Sequence, residues 1–521
     1  MNRAPARPTS ARGRRAPGSI RGKRRRNIVL LVLTLMLPLA GCAVGPAPSA
    51  SAPGEVTIAL SRAPAHLDYT RDAGASIAQA LLYNVYETLV KVDDEGRIQP
   101  LLAESWTVSA DRTAYTFELR DGVRFSDGRP MTADDVKFSF DRLPEWTNGV
   151  AKNLSGITAT EVVAPDVVRI RIAEPDNALL TTLATRPGTI YPENDVDRLT
   201  TRTNGTGPYV VESYDPGATM RLVANDDYWG GPPPLRRITL DYYTDPTAQT
   251  NALMTGGADA ALGVDAPQLL PQFDDTPAFR VTTGTTNGEM VLSMNNRTAP
   301  FDDKRVRQAV IHAIDANGVR AVAAEGRGTM ISSMVPPTDP WYEDRPEPYP
   351  YDPERARQLL AEAGTPHPTI SFKVPNLPQY VRTGQTVQSY LEAAGFRVDM
   401  RILEFPAVWL GEVLTSHDYQ LAVIIHAEPQ DIRQFSNPNY YFGYQNAQAD
   451  AVLAEARSGP PEDYAAGMRR YARIIADDAA AGFLYLTDWI DILSDRVTGV
   501  PTNASSESID LTRLSRTDGG S

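Results

Sequence analysis

Cysteine is nearly missing from this chain: 521 residues contain one, Cys42. That excludes disulfide scaffolding and thiolate metal sites as supports of a fold. Histidine is almost as scarce. Its five copies (His66, His312, His367, His417, His426) are scattered, with no His-Glu-x-x-His and no close cluster, so no metal site is expected. Gly-x-x-x-x-Gly-Lys-Ser/Thr and Gly-x-Ser-x-Gly do not occur either, which leaves phosphate-cradling and serine-hydrolase chemistry without their signals. Acidic pairs such as Asp93-Asp94 and Asp226-Asp227 sit in turn-like polar stretches where solvated carboxylates are ordinary. A carboxyl pair assembled only in three dimensions stays open on sequence grounds. No uninterrupted apolar run reaches the ~20 residues a helix needs to span a bilayer. The expectation is a protein without resident cofactor or catalytic apparatus.

What is present begins at the N-terminus. A basic run from Arg21 to Arg26 precedes an apolar run of 12 residues, Ile28 to Leu39, and then Ala40-Gly41-Cys42. Charge, short apolar core and small residues in that order make an export signal. Leu39-Ala40-Gly41-Cys42 resembles the lipobox of bacterial lipoproteins, in which the Cys42 thiol is acylated and becomes the mature N-terminus. Each buried acyl CH2 adds ~0.8 kcal/mol to membrane attachment, so two or more chains hold a soluble domain firmly. Residues 1–42 thus read as signal and lipidated cysteine, placing the protein outside the cytoplasm on the cell membrane. Residues 43–54 (AVGPAPSASAPG) offer little to bury and read as a flexible tether.

The signal also distorts the charge balance. Ten of the 51 Lys and Arg precede Cys42 and no acid does, which leaves 41 basic against 64 acidic residues, a net charge of −23. Such a surface repels phosphate polymers and anionic headgroups, so nucleic acid is excluded as a partner.

Beyond the tether, Glu55-Val56-Thr57-Ile58-Ala59-Leu60 alternates like a first strand. The spacing of Leu81, Leu82, Val85, Leu89 and Val90 predicts a helix over Ile77 to Val90. Tyr115, Phe117 and Leu119 alternate as a strand, as do Val168, Ile170 and Ile172. Thr132-Ala133-Asp134-Asp135 has the form of a capping box. Met220 to Ala224 and Ile238 to Tyr243 read as strands, and Pro246 to Thr255 as a helix closed by Gly256. From Gly288 the pattern becomes α/β. Helices are expected after Asp303, with Val306, Val310, Ala313 and Ile314 inward, and after Asp352-Pro353, ending at Gly364. Gln420 to Ile425 is nearly all apolar, as in a strand covered on both faces.

Ligands of open α/β sheets bind beyond the carboxyl ends of strands. The loop after that buried strand, His426-Ala427-Glu428-Pro429-Gln430-Asp431, is therefore a candidate site. Glu428 and Asp431 supply acceptors for a ligand ammonium. Asn437 to Tyr444 adds four aromatics, including Tyr440, of the kind that line a sticky yet wet cleft. Tyr441 and Phe442 as plain core, with the acids facing water, is the competing reading. A second candidate wall follows the first strand: Tyr69, Arg71 for a carboxylate, Asp72, and Gly74 for close backbone approach. An ordinary strand-to-helix loop with Asp72 as cap explains the same residues.

Several blocks together carry a resemblance. They are Leu82-Tyr83-Asn84-Val85-Tyr86-Glu87-Thr88-Leu89, Leu101-Leu102-Ala103-Glu104-Ser105-Trp106, Phe117 to Gly128, Gly205-Thr206-Gly207-Pro208-Tyr209, Asn225-Asp226-Asp227-Tyr228-Trp229, Phe301 to Ala309 and Tyr351 to Ala356. In that order the chain resembles the family 5 solute-binding proteins of peptide and nickel ABC importers. The resemblance implies an α/β fold of the type II periplasmic-binding-protein kind, with two lobes, an inserted domain and a ligand cleft between lobes. It implies domain I over 55–84, 205–285 and 486–515, domain II over 85–204, and domain III over 286–485. The implied function is non-enzymatic: a monomer captures di- or oligopeptides and delivers them to ABC permease subunits by lobe closure. Relatives carrying nickel chelates, haem or oligosaccharides keep those ligands open, and an extracytoplasmic peptidase or a sensor domain stands as the alternative class. Where peptide-binding members place an ammonium-binding Asp, this chain has Glu428, with Asp431 nearer the later Asp of the pattern. Trp409, His426, Glu428, Asp431 and Tyr440 are expected to face Tyr69, Arg71, Asp72 and Gly74 across the cleft.

Overall fold

The computed structural model describes residues 51–71 and 74–517; Cys42 with its export signal, and Asp72, lie outside the described residues. No helix among the described residues is long and apolar enough to cross a membrane. Ten strands form one mixed sheet. From edge to edge its order is Arg397–Leu403, Thr369–Pro375, Leu421–His426, Phe279–Met294, Ala481–Ser494, Ala260–Ala261, Glu55–Leu60, Arg237–Tyr242, Thr219–Ala224 and Tyr209–Asp215. The expected buried strand is Leu421–His426, flanked by a parallel and an antiparallel neighbour.

The middle of this sheet is made by two long antiparallel strands, Phe279–Met294 and Ala481–Ser494. Their register shifts between Thr285 and Glu289, so the two halves of the sheet share strands across an irregular joint. A second, antiparallel sheet of four strands (Ala103–Val108, Ala114–Leu119, Val167–Ile172, Ile157–Ala164) builds a smaller body with the helix Ala133–Asp141. That helix starts at the expected capping box: Thr132 and Asp135 satisfy each other's exposed backbone N–H.

Helices on the large sheet form where the sequence provides both a cap and an apolar stripe. Asp303 accepts the Arg305 N–H at 2.8 Å, and Val306, Ala309, Val310 and Ala313 point into the core. Asp352 accepts the Arg355 N–H at 2.9 Å, Pro353 occupies the first turn, and Gly364 leaves with φ 74°. One buried cluster joins the first strand to the small sheet (Ile58, Leu81, Phe117, Val136); another fills the later half (Leu292, Val310, Leu360, Leu421).

The helix expected over Ile77 to Val90 is instead Ala75–Leu81. Tyr83 takes φ 64°, which ends the helical path. The Asn84 and Val85 carbonyls then accept the Tyr209 and Gly207 N–H groups at 2.9 and 3.0 Å. This close approach explains the Gly205-Thr206-Gly207 block, because a Cβ on Gly205 would stand 1.9 Å from the Val85 oxygen. Leu82, Val85, Leu89 and Val90 are all buried. Their spacing records burial from several sides and not one helix face.

Candidate functional site

Between the smaller body and the later half of the large sheet lie two adjoining cavities of about 380 and 230 Å³. Both are lined by Thr181 and Thr185 on one side, by Pro429 and Gln430 on the other, and by Glu507. A larger cavity of about 560 Å³ is lined wholly by residues of the smaller body, from Phe140 to Thr160. All of its lining residues come from that one body. The interbody cleft is the better ligand site.

Glu428 stands at this cleft, on the loop that leaves the buried strand, with 53% of its side chain exposed. Its partner is Arg186, 242 residues earlier, whose Nη2 donates to its two oxygens at 3.3 and 3.5 Å. Arg186 is itself 1% exposed and is held by Glu507: Nε and Nη2 donate to Oε1 at 3.1 and 2.9 Å, and the Arg186 N–H to Oε2 at 2.8 Å. Its Nη1 reaches the Gly74 carbonyl at 3.4 Å.

Among the described residues one guanidinium thus serves two carboxylates. Burial opposes the charge on Arg186, but Glu507 and Glu428 outweigh it and raise its pKa. Glu428 relieves the crowding of the two acids by holding a proton, its pKa pushed up to about 8. Crowding by protein, although solvent reaches half the side chain, and the neighbouring Glu507 hold its pKa above the ordinary carboxylate value against the pull of Arg186.

Asp431 is engaged differently. Its Oδ2 pairs with His426 Nδ1 at 2.7 Å, His426 Nε2 meets the Tyr441 hydroxyl at 2.7 Å, and Tyr441 meets Ser293 Oγ at 2.7 Å. His426 is buried and stacked on Tyr441, with 3° between the rings. This closed polar chain rigidifies the strand end, and Asp431 spends an acceptor within it. Tyr440 is half-buried beside it, packed on His426 and Phe442.

The other expected wall is placed less directly. Tyr69 is buried against Tyr86, and Arg71 is 68% exposed with its Nε on Asp68 at 3.3 Å. Gly74 has φ −61°, a conformation open to any residue, and contributes its carbonyl to Arg186. The loop also shapes the cleft through its backbone, since the Thr70 carbonyl accepts the Thr147 N–H at 2.9 Å and the Tyr69 carbonyl accepts the Asn148 side chain. Asn148 lines the 380 Å³ cavity. Trp409, expected at the cleft, is instead core. It is fully buried and its indole N–H points to the Lys373 carbonyl at 3.4 Å, because the apolar helical segment around it packs on the sheet.

Residues missed by sequence reading are Arg186 and Glu507. Arg186 had one signal, an isolated charge in the apolar stretch Leu183-Ala184-Thr185-Arg186-Pro187-Gly188-Thr189-Ile190. A lone charge in such a stretch needs a partner. Glu507, in a Ser-rich segment, had none.

A profile of the bacterial extracellular solute-binding proteins, family 5 (middle region), matches residues 97–456. The chain is 33% identical to the haem-binding protein A of Haemophilus influenzae over 328 residues, covering 56% of this chain and 60% of that protein. It is 32% identical over 304 residues to the glutathione-binding protein GsiB of Escherichia coli O1:K1, covering 57% and 59%. These matches span about three fifths of each relative's length. The dipeptide-binding protein of Pseudoalteromonas sp. SM9913, solved with Met-Leu, superposes with a TM-score of 0.78 at 20% identity, over 89% of this chain and all of that one. The fold is that of a type II solute-binding protein, and the chain belongs to family 5 of the bacterial extracellular solute-binding proteins. That family is one of binding proteins and not of enzymes.

Proposed function

We propose that this protein is the substrate-binding subunit of an ABC importer, capturing short peptides outside the membrane and handing them to the permease by closure of the cleft. The observation that carries this reading is the grouping, among the described residues, of Glu428 and Glu507 around Arg186, with the half-exposed Glu428 facing the cavity. A ligand ammonium beside Glu428 replaces the proton that the two crowded acids otherwise hold. Asp431, tied to His426, is the weaker candidate for the same role. The peptide nature of glutathione and of Met-Leu in the relatives supports the choice of cargo.

Closure follows from linkage. A ligand that touches both walls binds the closed form better and shifts the equilibrium by that differential affinity. We further propose domain I over 55–84, 205–285 and 486–515, the inserted domain II over 85–204 and domain III over 286–485, acting in a monomer anchored through acylated Cys42.

Two experiments test the reading. Glu428→Gln is expected to weaken a dipeptide more than tenfold, within the ~2–5 kcal/mol for removing one partner of a buried, hydrogen-bonded charge pair. The N-acetylated dipeptide should bind the unmodified protein equally weakly. Equal binding of the acetylated and free forms sinks the ammonium assignment. For the anchor, Cys42→Ser should release the protein into the medium with ligand affinity intact, and persistent high-salt membrane fractionation of that variant would refute acylation there.

A further inference from the structure

The 560 Å³ cavity inside the smaller body takes no part in the proposed capture of cargo at the cleft. Its walls are the end of helix Ala133–Asp141 with the turn after it, the strand Ile157–Ala164, and the turn Val150–Leu154. Phe140, Leu143, Trp146 and Leu154, each buried, give it an apolar lining with two aromatic rings. Pockets of ~300–1,000 Å³ with such walls are of the size that holds small organic molecules. One polar atom breaks the apolar lining. Thr160 is 5% exposed, and its Oγ1 has no hydrogen-bond partner among the described residues. A buried hydroxyl left unpaired costs free energy, and a ligand with one donor or acceptor removes that cost. The charged side chains that line the cavity, Asp141 and Lys152, are both exposed, and Asp141 pairs with Lys137. The interior thus has no charge to compensate a charged ligand for its lost hydration, and it selects a neutral one.

A single stretch of chain separates this cavity from the cleft. Along residues 147–154, Ala151 and Leu154 line the inner cavity, and Asn148, Val150 and Asn153 line the 380 Å³ cleft cavity. Gly149 and Lys152 line both. The stretch is stitched to the loop after the first strand: the Thr147 N–H donates to the Thr70 carbonyl at 2.9 Å, and the Asn148 amide to the Tyr69 carbonyl. Gly149 bends it with φ 80°, and one helical turn follows, with backbone bonds from Lys152 to Gly149 and from Ser155 to Lys152 at 3.2 and 3.1 Å. So short a turn is held in place mainly by what packs on it. We infer that the cavity is a second ligand site, for a neutral, flat aromatic molecule with one hydrogen-bonding group set against Thr160. Its occupant tunes cargo affinity by fixing residues 147–154, the wall that the two spaces share. Such coupling is reciprocal: cargo must change the affinity of the second ligand by the same factor. The tuning rests on reading the cleft as the cargo site; the second site itself does not.

Indole is the probe, with indene as its counterpart lacking the N–H donor. Calorimetric titration of the unmodified protein should show saturable indole binding. Ala151→Leu, which fills the cavity from the shared wall, should weaken indole by roughly tenfold or more. Ala159→Leu fills it from the strand and serves as the second variant where the first fails to fold. Thr160→Val should cost indole about threefold to tenfold, the worth of one net hydrogen bond, and leave indene unchanged. Saturating dipeptide should shift the indole Kd, and saturating indole the dipeptide Kd, by one common factor. Absence of saturable indole binding, or binding that both filled variants retain, overturns the site. Mutual exclusion of indole and dipeptide places the probe in the cleft and overturns it equally. Unchanged Kd values in both directions overturn the tuning. If the unmodified protein binds no dipeptide, the cargo reading fails by itself, and the shared wall is judged by amide exchange. Protection of residues 147–154 by indole, absent in Ala151→Leu, sustains the hold on that wall, and unchanged exchange overturns it.

Discussion

The smaller body meets the later half of the large sheet along two seams that solve the same problem in opposite ways. The inner seam, at the cleft, is Arg186 with Glu507 and Glu428: side-chain charge around a buried guanidinium, with two acids to one cation among the described residues. The outer seam is at the carboxyl end of helix Ala447–Ser458. There the Arg112 guanidinium donates to the Ser458 and Gly459 carbonyls, and the Asn177 amide to those of Ala456 and Gly459 at 2.8 and 2.9 Å. The Asn177 N–H adds a bond to the Arg457 carbonyl at 2.8 Å, and Arg457 grips Asp176.

A helix end leaves four carbonyls unsatisfied and carries partial negative charge. Donors from the smaller body complete it. On the proposed reading the outer seam is a clasp indifferent to the ligand, whereas at the inner seam a ligand ammonium takes the place of the proton shared by two crowded acids. Affinity on that reading has two separable parts, one chemical and one conformational.

The sharpest way to break the contrast is Arg186→Met. It strands Glu507, whose side chain is 7% exposed, beside Glu428. Removing one partner from a buried ion pair costs ~3–5 kcal/mol, so urea denaturation should show a loss of that order. Arg186→Lys should recover only part, because an ammonium cannot reproduce the fork that reaches Glu507, Glu428 and Gly74 together. A loss below about 1 kcal/mol, the ceiling for exposed pairs, would place the inner seam in the class of surface salt bridges.

A smaller effect is expected at the clasp. Arg457 is 41% exposed, so solvent screens its pair with Asp176 to about 1 kcal/mol or less. Asp176→Asn should speed ligand dissociation by no more than roughly fivefold, that limit restated as a rate. The factor should be the same for every ligand. Dissociation kinetics with two chemically different ligands check this, and a ligand-dependent factor would join the clasp to the binding site after all.

The smallest difference is in pH. An acid whose pKa is raised on folding holds its proton longer in the native state, so stability falls as pH rises from the unfolded value to the folded one. For Glu428 the decline starts near 4.5 and continues upward. The outer seam is held by guanidinium and amide donors, which do not titrate in that range. Glu87 adds a background over 4.5 to about 7, because burial outweighs its bonds from Trp229, Thr206 and Tyr228. The informative quantity is therefore the difference in melting temperature between the unmodified protein and Glu428→Gln across pH 4.5–7. A gap that widens with pH supports the inner seam as the titrating one, and a constant gap counts against it.

What was legible beforehand follows the range of the forces involved. Caps and apolar stripes are local, so helices such as Lys304–Ala313 and Pro353–Glu362 and the buried strand Leu421–His426 could be read from residues a few positions apart. The overlong helix after Ile77 failed because Asn84 and Val85 bond to residues beyond 200, a competitor that no local window contains. The cleft was half legible for the same reason. A loop after a buried strand singled out Glu428, but its partner Arg186 comes from another body and Glu507 from near the end of the chain. Trp409 looked like a cleft aromatic because composition does not say which way a large side chain faces.

The two long strands through the middle of the large sheet have a consequence for how the molecule comes apart. Since Phe279–Met294 and Ala481–Ser494 each serve both halves, neither half can melt without unpairing a strand that the other needs. The large sheet should therefore unfold as one cooperative unit despite drawing on three hydrophobic clusters. The small four-stranded body has a self-contained ladder but shares a buried cluster with the first strand, so it is the part expected to open below the global transition, and amide exchange should report two levels of protection and not three.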